Sequence, residues 1–192
     1  MNDNSENKII RRSFLGLLSQ STLLFLSQSL PQSVFAFSAP RVRRAKHVGY
    51  ALWTWGLATS GRLGDGTLTK KSSPVQIGSR LDWVSISAGA DFSVGVKSDN
   101  SIWGYGSNAD GQLGTGDTTS TSSPVRFGAQ SAWAQVSAGS AHVLALRSDA
   151  TLWATGKNSS GQLGDGTLTS QSSPVRIGGN SDWLMVSAGA TH

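Results

Sequence analysis

Three glycine-rich hexapeptides are the stretches of this chain most open to chemistry. Gly61-Arg62-Leu63-Gly64-Asp65-Gly66 reads Gly-x-x-Gly-x-Gly, and Gly111–Gly116 and Gly161–Gly166 repeat the pattern. Such spacing lets backbone N–H groups cradle a phosphate where a strand precedes it and a helix N-terminus follows. Here Thr and Ser follow, then Pro74, Pro124 or Pro174. A structural loop is expected, with no nucleotide and no other cofactor. Asn108-Ala109-Asp110-Gly111 and Asp65-Gly66 offer oxygen ligands of the kind calcium takes. An EF-hand loop needs several of them at alternate positions and a distal Glu, and no Glu occurs after Glu6. His47, His142 and His192 are dispersed, with no carboxylate placed beside them by motif. Phe92 holds in one repeat the place that His142 holds in the next, so a packing or strand-end role is expected for His142. No Ser lies in Gly-x-Ser-x-Gly. The chain has no Cys, which removes thiolate chemistry and disulfides. Asp99 and Asp149 recur at a turn, where a carboxylate bonds local N–H groups. No catalytic, cofactor or metal residue is assigned, and the chain is not expected to be an enzyme.

The elements that position these residues follow from a shift of the sequence against itself by 50 residues, which matches without gaps. Trp53-Thr54-Trp55-Gly56 meets Trp103-Gly104-Tyr105-Gly106 and Trp153-Ala154-Thr155-Gly156. The hexapeptides align Gly61, Gly111 and Gly161; Leu63, Leu113 and Leu163; Gly64, Gly114 and Gly164; and Gly66, Gly116 and Gly166. Ser-Ser-Pro-Val recurs at 72–75, 122–125 and 172–175. Trp83, Trp133 and Trp183 share one position, and Gly89, Gly139 and Gly189 share another. Residues 61–77 and 161–177 agree at 13 of 17 positions, so the repeat is internal and must be read first. Within a unit, Trp83–Ser87 and Phe92–Val96 alternate large apolar with small residues, the period of half-buried strands. Ser98-Asp99-Asn100 is turn chemistry, and it closes a hairpin onto Ile102–Tyr105. Pro124 lacks the N–H that a central ladder needs, so Ser122–Phe127 suits an outer edge strand. No convincing amphipathic helix occurs in 51–192. Three or four short strands per 50 residues, with fixed glycines and Trp, predict an all-β fold of propeller blades in tandem. The Trp residues are expected to pack between blades.

The first fifty residues differ in kind. They carry seven Lys/Arg against Asp3 and Glu6, whereas 51–192 carry nine Lys/Arg against nine Asp. The basic balance therefore belongs to the N-terminal segment, and no nucleic-acid partner is expected, because that needs clustered charge on a folded face. Arg11-Arg12-Ser13-Phe14-Leu15 precedes an interrupted apolar stretch, and Val34-Phe35-Ala36 ends it with a peptidase-type exit. A charged start, a short apolar run and a small-residue exit make a secretory signal. Arg11, Arg12, Phe14 and Leu15 give it the look of a twin-arginine signal, with the twin-arginine machinery as its partner. The expected organisation is a signal peptide at 1–36, a basic linker at 37–50 and repeats at 51–100, 101–150 and 151–192, the last incomplete. The expected location is periplasmic or extracellular.

The units resemble the repeats of the regulator-of-chromosome-condensation family. The Trp-x-x-Gly strand end, the Gly-Gln-Leu-Gly-x-Gly loop, Ser-Ser-Pro-Val and Trp…Val-Ser-Ala-Gly recur in that order across 51–192. The resemblance implies a propeller, with seven blades in well-known members. About three repeats cannot close a ring alone, since propellers need roughly four to eight blades. A truncated chain, or self-association that completes the propeller, is expected. The founding member is an exchange factor for a small GTPase and a chromatin binder. Its activity depends on loop insertions that a strict period of 50 leaves no room for, so that activity is not carried over. The expected role is an exported module binding a protein or glycan, with Tyr105 and loops 67–73, 117–123 and 167–173 as contact material. The alternatives are an enzyme with an axial site, for which Asp91 and Lys157 are among the few polar residues unique to one unit, a GTPase regulator by analogy, and a chain without function.

Overall fold

The computed structural model describes residues 49–192. Arg11, Arg12, Phe14, Leu15, the signal peptide and nearly all of the basic linker lie outside the described residues. Ten strands follow one another: β1 Trp53–Gly56, β2 Lys71–Gln76, β3 Trp83–Ala88, β4 Phe92–Lys97, β5 Ile102–Gly106, β6 Thr121–Arg126, β7 Trp133–Ala138, β8 His142–Arg147, β9 Leu152–Gly156 and β10 Gln171–Arg176. One 3-10 turn, Thr59–Gly61, interrupts them. The strands form two antiparallel sheets, β3-β4-β5-β6 and β7-β8-β9-β10, and a two-stranded sheet, β1-β2. These are propeller blades.

The blades are out of phase with the sequence repeats. Each complete sheet takes its two inner strands from one 50-residue unit and its two outer strands from the next, so the structural units are 83–126 and 133–176. The units 51–100, 101–150 and 151–192 are thus periods of the sequence rather than blades. Trp183–Gly189 has the sequence of β3 and β7 but forms no strand, because no second strand pairs with it among the described residues.

The edge strands explain the Ser-Ser-Pro segment. β5 pairs with β6 through Trp103↔Arg126 and Gly104↔Val125, then jumps to Gly106↔Thr121. The same bulge recurs in β1–β2 and β9–β10. Each proline sits in the bulge, on the outermost strand, where the missing N–H disrupts no ladder.

The main core lies between blades. Phe92, Val94, Val96 and Ile102 of the first sheet meet Trp133, Val136, Val143 and Ala145 of the second, with Leu113 and Phe127 completing the cluster. Trp133 is fully buried and packs nearly perpendicular to Phe127 and Trp153 at centroid distances of 5.6 and 6.2 Å. Such T-shaped pairs contribute about 0.5–1.5 kcal/mol beyond burial. Trp83 is also buried, and Lys97 Nζ lies over it and over Trp103. The expectation of inter-blade packing fails for Trp53 and is only partly met by Trp183, which are 51 % and 39 % exposed. Both stand on the outer faces of the described array.

The hairpin turns contain a repairable flaw. Asn100 and Ala150 both hold φ near +60°, a region that costs ordinary residues about 1–2 kcal/mol. Asn tolerates it, and Asn100 Nδ2 also donates to the Trp133 carbonyl at 3.0 Å. Ala150→Asn is expected to stabilise the protein by about 0.5–1 kcal/mol, read as a higher urea midpoint at unchanged slope.

Candidate functional site

Polar side chains that recur with the period are spent on holding loops. Asn108 is fully buried at the end of β5; its Oδ1 accepts from Leu113 N–H at 2.9 Å. Its Nδ2 donates to Thr115 Oγ1 and to Asp117. Asn158 repeats this with Leu163 N–H, Asp165 and Thr167. The carboxylate and hydroxyl exchange places between the two loops, Thr115/Asp117 against Asp165/Thr167, and the bond between them survives the exchange. Gln112 and Gln162 are buried beside them, accepting from Asp110 N–H and Ser160 N–H. In the first loop Ala58 replaces the Asn, and Lys71 reaches Asp65 Oδ2 at 3.3 Å instead. Asn108, Asn158, Gln112 and Gln162 escape sequence reasoning as organisers, although the recurrence of each at a spacing of 50 was the available signal.

The three hexapeptides turn through left-handed glycines, Gly61, Gly64 and Gly66 and their copies, over buried Leu63, Leu113 and Leu163. No helix follows any of them among the described residues. The loops reach instead into the following unit. Gly66 N–H donates to the Ser122 carbonyl and Gly116 N–H to the Ser172 carbonyl, both at 2.8 Å. Nearer the inner strands, Ser87 Oγ accepts from Ala138 N–H, and Ser137 Oγ accepts from Ala188 N–H. Ala90 N–H donates to the Ser140 carbonyl, and Ser140 N–H to that of Ala190. One set of bonds therefore fastens each unit to the next.

Tyr105 must be withdrawn from the contact surface. It is fully buried on β5, with its ring filling the space over Gly64 of the preceding loop. Burial pushes its pKa up to about 12. The loops 67–73, 117–123 and 167–173 do reach solvent at Leu68–Lys70, Thr118–Ser120 and Leu168–Ser170, and then enter the edge strands. Leu68 and Leu168 are 70 % and 69 % exposed at the loop tips. Pro74 is exposed, Pro124 half-buried and Pro174 buried; Gly56, Gly106 and Gly156 end β1, β5 and β9.

The titratable groups are tied into turns. Asp99 accepts from Ser101 Oγ and Ser101 N–H, and Ser101 Oγ accepts from Trp103 Nε1. Asp149, Thr151 and Trp153 repeat the relay. Hydrogen bonds from Ser101 and Thr151 hold Asp99 and Asp149 below the usual carboxylate pKa. Backbone donation from Thr119 and Thr167 does the same for Asp117 and Asp165. Burial opposes ionisation of Asp65, but bonds from Thr67 and Lys71 outweigh it and lower its pKa too. Carboxylates held down in this way are poor proton shuttles near neutrality. Asp91 forms an ion pair with Arg62 at 2.6 Å, and Lys157 is exposed. Among the described residues no three His, Cys, Asp or Glu side chains gather to hold a metal.

His142 opens β8, fully buried, with its ring against Gly139 and neither nitrogen in a well-formed hydrogen bond. Burial depresses its pKa, and the His192 backbone offsets this only in part. A depressed folded pKa means that the unfolded chain takes the proton first. The contribution of neutral His142 is thus complete above pH 6.5 and is lost as pH falls from there through the lower folded pKa. Stability is expected to fall below pH 6.5 by up to about 1.4 kcal/mol per pH unit. His142→Phe, which copies Phe92, should remove that component in urea titrations at pH 7.5 and 5.5.

The described array can be set beside known proteins. The regulator of chromosome condensation (RCC1) repeat matches residues 51–96, 99–146 and 149–192, and a second form of that repeat matches 83–112 and 133–162. No curated protein matches. Among solved structures, Prp20p of Saccharomyces cerevisiae, studied for its binding to Gsp1p and histones, is similar at 22 % identity and a TM-score of 0.59 over 69 % of this chain. Yeast RCC1 (Prp20) in complex with Kap60 is similar at 21 % identity and a TM-score of 0.64 over 73 % of this chain. This chain covers 35 % and 37 % of those two chains, about a third of their length.

Proposed function

The chain belongs to the regulator of chromosome condensation repeat family, and from that premise we propose that it is an exported module that binds a protein partner through its outer loops. One observation carries the reading. The recurrent polar residues are consumed by the scaffold, while Leu68 and Leu168 stand uncovered on hydroxyl-rich tips. Exposed aliphatic side chains among Ser and Thr suit a protein surface; a glycan would call for aromatic platforms, and these tips carry none. That Prp20p is described as binding Gsp1p and histones supports the class of partner, a protein, and not its identity. Export rests on Arg11-Arg12-Ser13-Phe14-Leu15 and the apolar run behind it.

Two experiments test the two halves. A photo-crosslinker at residue 168 in a cell-envelope extract should yield a discrete protein adduct that the same probe at Ser98, on a hairpin turn, does not. Equal labelling at both positions, or none, removes the loop assignment. A reporter fused behind residues 1–50 should leave the cytoplasm, and R11K/R12K should retain it there. Export that ignores both arginines contradicts the twin-arginine reading.

A further inference from the structure

A groove runs along the first junction between units, and at the second junction the same place is closed. The open groove lies between the loop 64–67, the turn that follows β2 and the Ser123-Pro124 edge of β6, and it holds about 640 Å³. Residues at the junction itself make the difference. At the second junction the space beside Gly128 is filled by the Gln130 amide and the Pro174 ring, and Gly128 N–H donates to the Gly114 carbonyl at 3.0 Å. At the first, nothing lies within 4 Å of the same space beside Gly78, and Gly78 N–H finds no acceptor among the described residues. Arg80 stands where Gln130 stands in the next unit, and it is exposed. Pro124 is half-buried, whereas Pro174 is buried.

The open groove is also the charged one. Asp65, Lys71, Arg80, Asp82 and Lys97 line it, and their counterparts at the second junction are Thr115, Thr121, Gln130, Ala132 and Arg147. Lys71 pairs with Asp65 at 3.3 Å and Lys97 with Asp82 at 3.4 Å. Arg80 joins none of the ion pairs among the described residues, so its guanidinium is the charge left over. Asp82 Oδ1 is buried and receives no hydrogen bond. The groove therefore offers a cation and a backbone N–H to an anion, and beside them a buried acceptor that lacks a donor.

We propose that this groove binds an extended, carboxylate-bearing peptide segment of the partner protein. The carboxylate meets Arg80 and Gly78 N–H, and a main-chain N–H of the segment donates to Asp82 Oδ1. A guanidinium–carboxylate pair is charge-assisted and directional, and a buried acceptor without a donor is costly to leave so. A phosphate-rich ligand fits poorly, because it brings no N–H to Asp82 and would lie against two carboxylates, Asp65 and Asp82. The volume falls within the range of about 300–1,000 Å³ usual for small binding sites, which suits a short stretch of chain. The inference rests on a protein being the partner, as proposed above, but neither Leu68 nor Leu168 lines the groove. The loop-tip contact and the groove can therefore fail separately.

The test is a nuclear magnetic resonance titration of the full chain with N-acetyl-glycyl-glutamyl-glycine amide, with its glutaminyl counterpart and inorganic phosphate as controls. Saturable shifts are expected at the amides of Gly78, Ser79 and Arg80 and at the Arg80 side chain. The glutaminyl peptide and phosphate should each bind at least roughly tenfold more weakly. Arg80→Gln, at an exposed side chain, should weaken the glutamyl peptide by the same factor and leave the urea midpoint unchanged. S79A/R80Q copies the Ala129-Gln130 turn of the closed junction and should abolish the shifts. No saturable shift at these residues overturns the proposal, as does a glutaminyl peptide that binds equally well or binding that survives in either folded variant. Phosphate that binds as tightly as the glutamyl peptide also overturns it, since the groove would then be a simple anion site.

Discussion

Gly111→Ala is expected to destabilise the protein by more than about 3 kcal/mol, and Gly161→Ala, at the same place in the repeat, by about 1 kcal/mol. Both glycines hold left-handed φ, +81° and +73°, which costs an L side chain about 1–2 kcal/mol. The difference lies in what the new methyl meets. At Gly111 it would run into Ser172 Cα, a backbone atom fixed by the bulge of β10. Nothing flexible can give way there, so two blades must move apart, and overpacking of this kind adds about 1–3 kcal/mol. At Gly161 the methyl meets only the tip of exposed Leu168. Urea unfolding of the two variants separates the effects. Similar losses would show that the loops act only through local strain and not by seating the next edge strand.

The second large effect is expected at Asn108. Asn108→Ala leaves the buried Leu113 N–H without its acceptor and frees Thr115 and Asp117 from the donor that gathers them. An unsatisfied buried donor costs about 1–3 kcal/mol, and loss of the ordered loop adds to it. A total near 3 kcal/mol is expected. Asn108→Asp keeps the acceptor for Leu113 but loses the amide donor and brings a second carboxylate beside Asp117, so it should not rescue the loop at pH 7. The first loop shows the alternative solution. Ala58 is tolerated there because Lys71 pairs with Asp65, so Lys71→Ala should harm that loop, whereas Gln171, which stands at that position in the third repeat, should be replaceable.

Much of the fold is legible in the residues. The alternation at Trp83–Ser87 and Phe92–Val96 yields β3 and β4, Ser98-Asp99-Asn100 yields the turn, and Pro124 marks the edge strand. The phase of the blade is not legible. A period of 50 fixes the length of the unit, but self-similarity is the same from any starting residue, so nothing in it says that β3 and not β1 opens a sheet. The burial of Tyr105 is hidden for a related reason. The loop that covers it belongs to the preceding period, and one strand's pattern carries no information about a loop that arrives from another unit. Asn108 and Asn158 were visible as a recurrence, but Ala58 breaks the series in the first repeat and the buried role of an amide is not written in its spacing.

The central claim is that successive blades are fastened by the same directional bonds, so that the array behaves as one body. Amide hydrogen exchange tests it most directly at Gly116, Ala138 and Ser140, whose N–H groups bond only across a junction. Protection at these three amides close to that of the inner strands β4 and β8 is the predicted result, because opening a junction would then require unfolding the sheets. Exchange there at the rate of an exposed loop, with β4 and β8 still protected, would show independent sheets lying side by side and would contradict the account.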